Sequence, residues 1–210
     1  MEFVKKVLTI TNRPENVALA KEYINKERKL PCNPKSFGYV DMLPIDDTTY
    51  INKALMIFTR DITGEITQIE SRNIMIKHYD KLWTDRNAIP IYNMQNVIHH
   101  NTIIITESVI EAETINYTIK GVCAISVNSA SVKRSQLYLI ASIMKGKRLF
   151  IALNNDGAGI ENAKRIKSFM MDNFMIPSHF IDYPFNDLNK FYTTKGKKFF
   201  TSHIIREIEG

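Results

Sequence analysis

The sequence predicts an α/β fold: an open, mainly parallel sheet flanked by helices, with an α+β subdomain before it. Three observations carry this. From residue 101 onward, short apolar runs alternate with helical patterns at the spacing of strand–helix–strand crossovers. The run Thr102-Ile103-Ile104-Ile105-Thr106 is β-branched and unbroken, as in strands buried on both faces. Before residue 100 the pattern is a helix followed by a hairpin. The expected plan is an N-terminal basic subdomain over 1–100, a parallel-sheet domain over 101–190, and a C-terminal helix over 191–210 packed on the core.

In chain order, Arg13 to Lys29 has helical periodicity, with Pro14 suited to a first turn and Pro31 ending the helix. Pro31, Pro34 and Gly38 then read as a loop. Ala54–Phe58 and Ile66–Ile69 are strand-like and joined by the turn Asp61-Ile62-Thr63-Gly64-Glu65. Pro90 and Asn93 begin a connection that ends near Asn101. Four strands follow, at Thr102–Thr106, Gly121–Val127, Leu149–Leu153 and His179–Asp182. Helices are expected over 110–119, 135–144, 158–174 and 194–208.

Composition bounds the function. Of 210 residues, 44% are hydrophobic and 24% charged, the balance of a soluble globular chain. Lys and Arg number 28 against 22 Asp and Glu, a net +6 that favours a polyanionic partner. No run of about 18 apolar residues exists to span a bilayer, and Glu2 in MEFVKKVLTI argues against a signal peptide. No membrane partner is therefore expected. With only Cys32 and Cys123, neither a four-thiolate zinc site nor a disulfide scaffold is expected. Both read as reduced thiols, which suits a cytoplasmic location.

Ligands on open parallel sheets bind beyond the carboxyl ends of the strands. Four residues stand there: Glu107 after the first strand, Asn154 and Asp156 after the third, and Asp187 after the fourth. Their oxygens suit a hard divalent cation such as Mg²⁺ or Mn²⁺, which polarises phosphoryl oxygens and activates a hydroxyl. Acids at helix starts are also ordinary caps, and spacing alone leaves both readings open.

The motifs around these residues resemble a family. Ile103-Ile104-Ile105-Thr106-Glu107-Ser108-Val109-Ile110-Glu111-Ala112 resembles the first motif of the TOPRIM fold, a strand ending in Glu-Gly with Asp-Ala three residues later. Ala152-Leu153-Asn154-Asn155-Asp156-Gly157-Ala158-Gly159 resembles its second, Leu-Asp-x-Asp followed by Ala-Gly. Asp187-Leu188-Asn189 is similar to the element that follows in phage-type members. Ala20–Ile24, Arg28–Leu30 and Phe37-Gly38-Tyr39 resemble the start of the catalytic core of bacterial-type DNA primases, and Arg60–Gly64 with Arg72 resembles its hairpin and arginine. The likeness spans about residues 14 to 200.

That resemblance implies a TOPRIM-type sheet and synthesis of short RNA primers from ribonucleoside triphosphates on a single-stranded DNA template. It implies Glu107 as metal ligand or general base, Asp156 as a catalytic ligand, Asn154 and Asp187 as further ligands, and Mg²⁺ or Mn²⁺ as cofactor. Arg72, Lys77, Lys81 and Arg86 would contact nucleic acid or nucleotide, and a replicative helicase is a partner to look for. Members often carry an upstream zinc module and a downstream helicase, and the sequence has neither pattern. Ser108, Glu111 and Asn154 depart from the motifs, where Gly, Asp and Asp are usual. The third removes a full charge, so the implied activity is metal-demanding. A metal-dependent nuclease of the same superfold and a non-catalytic single-strand-binding module are the alternatives. His99-His100 lacks a third ligand nearby and reads as surface, and Tyr79 and Trp83 suit either base stacking or a subdomain joint.

Overall fold

The computed structural model describes residues 2–76, 78–129 and 131–210. It divides into two units, Met1–Pro90 and Ile91–Gly210. The boundary thus falls ten residues before the expected one.

The first unit has two helices and one antiparallel sheet. Helices α1 (Glu2–Thr11) and α2 (Pro14–Glu27) precede strands β1 (Phe37–Pro44), β2 (Tyr50–Arg60), β3 (Ile66–Asn73) and β4 (Tyr79–Thr84), in sheet order β1-β2-β3-β4. The β2–β3 hairpin forms as its sequence predicts. The Asp61 carboxylate accepts the Thr63 and Glu65 N–H groups at 2.9 and 3.0 Å, an Asx-type closure. Alternate residues of the strands, among them Val40, Ala54, Met56, Phe58 and Ile69, bury their side chains with Val7 of α1. Fully burying a Val, Ile or Phe is worth about 1.5–3 kcal/mol, and this face gives α1 its place. Three elements go beyond the sequence reading: α1, β1 and β4. Gly38, expected in a loop, lies inside β1 and pairs with Met56.

The second unit is the alternating one. It opens with a 3-10 turn at Met94–His99, and β5 (Thr102–Thr106), α3 (Val109–Thr118), β6 (Val122–Ser126), α4 (Arg134–Ser142), β7 (Arg148–Ala152), α5 (Gly157–Phe174) and β8 (Ser178–Phe180) follow. Helices α6 (Leu188–Lys195) and α7 (Lys197–Glu209) end the chain. The four strands lie parallel in the order β6-β5-β7-β8. Ile103, Ile105, Cys123, Ile125, Leu149 and Ile151 pack with Leu137 and Ile140 of α4 and with Ala163, Ile166 and Met170 of α5. The helix expected over 194–208 is α7 and starts at Lys197, after Gly196 at φ +80°, and α6 before it was not expected. Both cysteines are free; Cys123 is buried, and burial pushes its thiol up to about 12. No helix among the described residues is long and apolar enough to cross a membrane.

Candidate metal and nucleotide site

Register places the first two motifs together. Strands β5 and β7 are neighbours, with Thr106 opposite Ala152, so the residues that follow leave the sheet at one level. Glu107 begins one exit and Asn154 the other. The Asn154 N–H donates to the Glu107 carboxylate, and the Ser126 hydroxyl donates to the Glu107 carbonyl at 3.0 Å. The strand ends β5, β6 and β7 thereby fix the backbone around Glu107.

Asp156 ends the turn and caps α5, its Oδ1 accepting the Gly159 N–H at 2.8 Å. Such a cap is worth about 1 kcal/mol. Gly159 is required at this turn: a Cβ there would lie 1.9 Å from the Asn154 carbonyl oxygen. Asp187 likewise caps α6 through the Lys190 N–H at 2.6 Å. Capping thus holds for both acids, and it leaves each a second carboxylate oxygen for other work.

The departures in the first motif have a structural reason. Ser108 and Glu111 form a capping box on α3: the Glu111 N–H donates to the Ser108 hydroxyl, and the Ser108 N–H to Glu111 Oε2 at 2.9 Å. Glu111 is only 2% exposed and its Oε1 has no hydrogen-bond partner. The Ser-x-x-Glu spacing was the signal for this box.

Electrostatics ties the acids into one group. Burial raises the Glu107 carboxyl above its ordinary value, Asp156 raises it further, and the Asn154 N–H offsets part of this. Burial pushes Glu111 up to about 8, with Asp187 and Glu107 adding in the same direction. Tyr183 is also raised, first by burial and then by Glu111, Asp187, Glu107 and Asp156. The structure therefore couples Glu107 directly to Asp156, whereas Asp187 acts on Glu111 and Tyr183. Sequence reasoning missed Tyr183, for which no motif gave a signal.

The donor set fits a hard divalent cation. It is all oxygen, like charges crowd Glu107, and the amide Oδ1 of Asn154 is buried without a hydrogen-bond partner. Among the described residues no group of three or more His, Cys, Asp or Glu side chains is arranged to hold a metal by itself. Mg²⁺ commonly takes one or two carboxylates and completes its shell with water and substrate phosphates, so a pair is a usable foothold. A mainly apolar cavity of about 280 Å³ adjoins Asn154 and Asn155, but Glu107, Asp156 and Asp187 do not line it.

In the first unit the expected nucleic-acid contacts separate. Lys81 and Arg86 are exposed. Arg72 is instead buried at 8% exposure, its guanidinium 4.9 Å from the Tyr79 ring centroid and its Nε without a hydrogen-bond partner. Lys77 lies outside the described residues. Trp83 is half-buried against the apolar cluster, which favours packing over stacking on bases.

A parallel sheet with acids at adjacent strand ends, in one chain with a four-stranded antiparallel sheet, defines a known class of fold. The chain is similar to a DnaG catalytic core at 13% identity and a TM-score of 0.74, covering 98% of this chain and 79% of that one. It is similar to the DnaG primase catalytic domain bound to single-stranded DNA at 13% identity and a TM-score of 0.69, covering 98% and 80%. It also resembles the primase fragment of the bacteriophage T7 primase-helicase protein, at 13% identity and a TM-score of 0.66, covering 87% and 72%. No family model matches the chain, and no curated protein matches it by sequence. The chain has the fold of DnaG primase catalytic cores.

Proposed function

We propose that this chain is a primase-type nucleotidyltransferase, which joins ribonucleoside triphosphates into short RNA on a single-stranded DNA template with Mg²⁺ or Mn²⁺. The observation that carries this is the convergence of Glu107 and Asp156 at the ends of adjacent strands, where the Asp156 charge disfavours that of Glu107 until a cation arrives. The shared fold, and the likeness to a primase domain bound to single-stranded DNA, support the same reading.

Glu107 and Asp156 would hold the metal with the amide oxygen of Asn154, and Asp187 adds charge from the side of Glu111. A bound divalent cation would neutralise the triphosphate and polarise its phosphoryl oxygens. The protein supplies the rest. With its carboxyl held above its ordinary value by burial and by Asp156, Glu107 is suited to accept the proton of an attacking 3′ hydroxyl at a carboxylate oxygen. Strand ends and capped helices fix the acids before substrate arrives, so little reorganisation is left to the reaction. Lys81 and Arg86 neutralise template phosphates without reading sequence, which makes affinity fall with salt. The likeness to a fragment of a primase-helicase makes a replicative helicase a partner to test.

The test is incubation with single-stranded templates, the four ribonucleotides, and Mg²⁺ or Mn²⁺. Short oligoribonucleotides that vanish with EDTA are expected. Shortened template would assign the nuclease instead, and salt-sensitive binding without any product would assign a binding module.

A further inference from the structure

We infer that Tyr183 and Asn155 are positioning residues: they fasten the loop carrying Asp156 to the loop carrying Asp187 and thereby hold Asp156, the partner of Glu107, in place. The two loops leave the neighbouring strands β7 and β8, whose pairing ends at Ile151 and Phe180. One more backbone bond, from the Ile181 N–H to the Ile151 carbonyl at 2.9 Å, continues the ladder.

Beyond that point three hydrogen bonds cross between the loops. The Tyr183 hydroxyl donates to the Leu153 carbonyl at 2.6 Å. The Asn155 side-chain amide donates to the Tyr183 carbonyl at 3.0 Å. The Asn155 N–H donates to the Asn186 carbonyl at 2.8 Å. Tyr183 is 3% exposed, and its ring lies parallel to that of Phe191, with centroids 6.5 Å apart and planes within 5°. Phe191 belongs to α6, the helix that Asp187 caps, so the hydroxyl is aimed by the packing of that helix.

Each acid is already tied to its own helix, Asp156 to α5 and Asp187 to α6. The cross-bonds then decide how far apart the two capped helix starts stand. Neither Tyr183 nor the amide of Asn155 adds charge at neutral pH, so they orient the acids without opposing them. Outer-shell groups of this kind commonly change metal affinity by about 10- to 100-fold when removed.

This inference rests on the reading that Glu107 and Asp156 take a divalent cation, and the experiment separates the two. Tyr183→Phe removes only the hydroxyl, and Asn155→Ala shortens an exposed side chain. Mn²⁺ binding is followed by paramagnetic resonance, and amide exchange of Asn155 is measured in metal-free protein. In each variant the Mn²⁺ dissociation constant should rise about tenfold. The double variant should lose less than the product of the two, because both belong to one network. Tyr183→Phe should also speed exchange at the Asn155 amide about tenfold, an effect of the loop joint opening more often. A purely structural role would lower Tm while leaving Mn²⁺ affinity in the folded protein unchanged, and that result overturns the inference. Wild-type protein that takes up no Mn²⁺ overturns the cation reading. The loop joint then stands or falls on exchange: unchanged exchange at Asn155 overturns it.

Discussion

Each unit buries a glutamate on or beside its sheet, and the charges around the two differ in sign. Glu70 of β3 is pushed up to about 7 by burial, but Lys81 stands directly across on β4 and pulls it back. Glu111 of α3 is pushed up to about 8 by burial, and the charged groups acting on it are Asp187 and Glu107. The first unit therefore offsets part of the burial of its own acid with a resident cation. The second gathers acids whose neighbours are acids, which is costly unless a cation comes from outside. Acids at the carboxyl ends of a parallel sheet, with no basic side chain among the described residues that acts on Glu107 or Glu111, fit the proposed cation site.

The largest effect is expected at Glu107. Removing its carboxylate by Glu107→Gln should lower primer synthesis about a thousandfold while leaving the melting temperature near wild type, as read by product ladders and thermal unfolding. Synthesis that survives would take Glu107 out of the chemistry. Next comes Gly159→Ala, which forces a Cβ against the Asn154 carbonyl oxygen. It should cost about 3 kcal/mol in denaturant unfolding, in the upper range for overpacking, and displace the second motif with it.

The buried glutamates give a paired pH prediction. Both have folded-state values above their ordinary 4.5, so each contributes stability that is complete below that value. That contribution is lost as pH rises, through about 7 for Glu70 and about 8 for Glu111. Within its window each group lowers stability by up to about 1.4 kcal/mol per pH unit. Glu111→Gln should flatten the decline toward pH 8, and Glu70→Gln should flatten only the part that ends near pH 7. Urea unfolding across pH 4 to 9 measures both. If neither variant changes the slope, these carboxyls titrate normally and the contrast between the units dissolves. Smallest is Lys81→Ala, which should weaken single-stranded DNA binding a few-fold and reduce the salt slope by about 0.7. An unchanged slope would remove Lys81 from the interface.

The alternating half was legible because its strands are unbroken apolar runs, such as Ile103-Ile104-Ile105, and its helices follow at regular spacing. In the first unit only α2 and the β2–β3 hairpin carried local signals of that strength. Helix α1 is ten residues with three threonine or β-branched positions near its end, and burial of Val7 rather than propensity holds it. β4 is a polar, half-exposed edge strand, Tyr-Asp-Lys-Leu-Trp-Thr, which exists through pairing with β3. At the site, Glu107 and Asp156 followed from strand ends. Ser108 and Glu111 read as departures from a motif and proved to be a capping box. Tyr183 could not be found from sequence, because its role depends on two loops 30 residues apart meeting in space.

A divalent cation seated between Glu107 and Asp156 is the centre of the proposed chemistry. A crystal soaked in Mn²⁺ and measured at the manganese edge tests this most directly. An anomalous peak is expected within about 2.0–2.5 Å of an oxygen from each carboxylate. A map with no peak there, or with manganese bound only elsewhere, would contradict it.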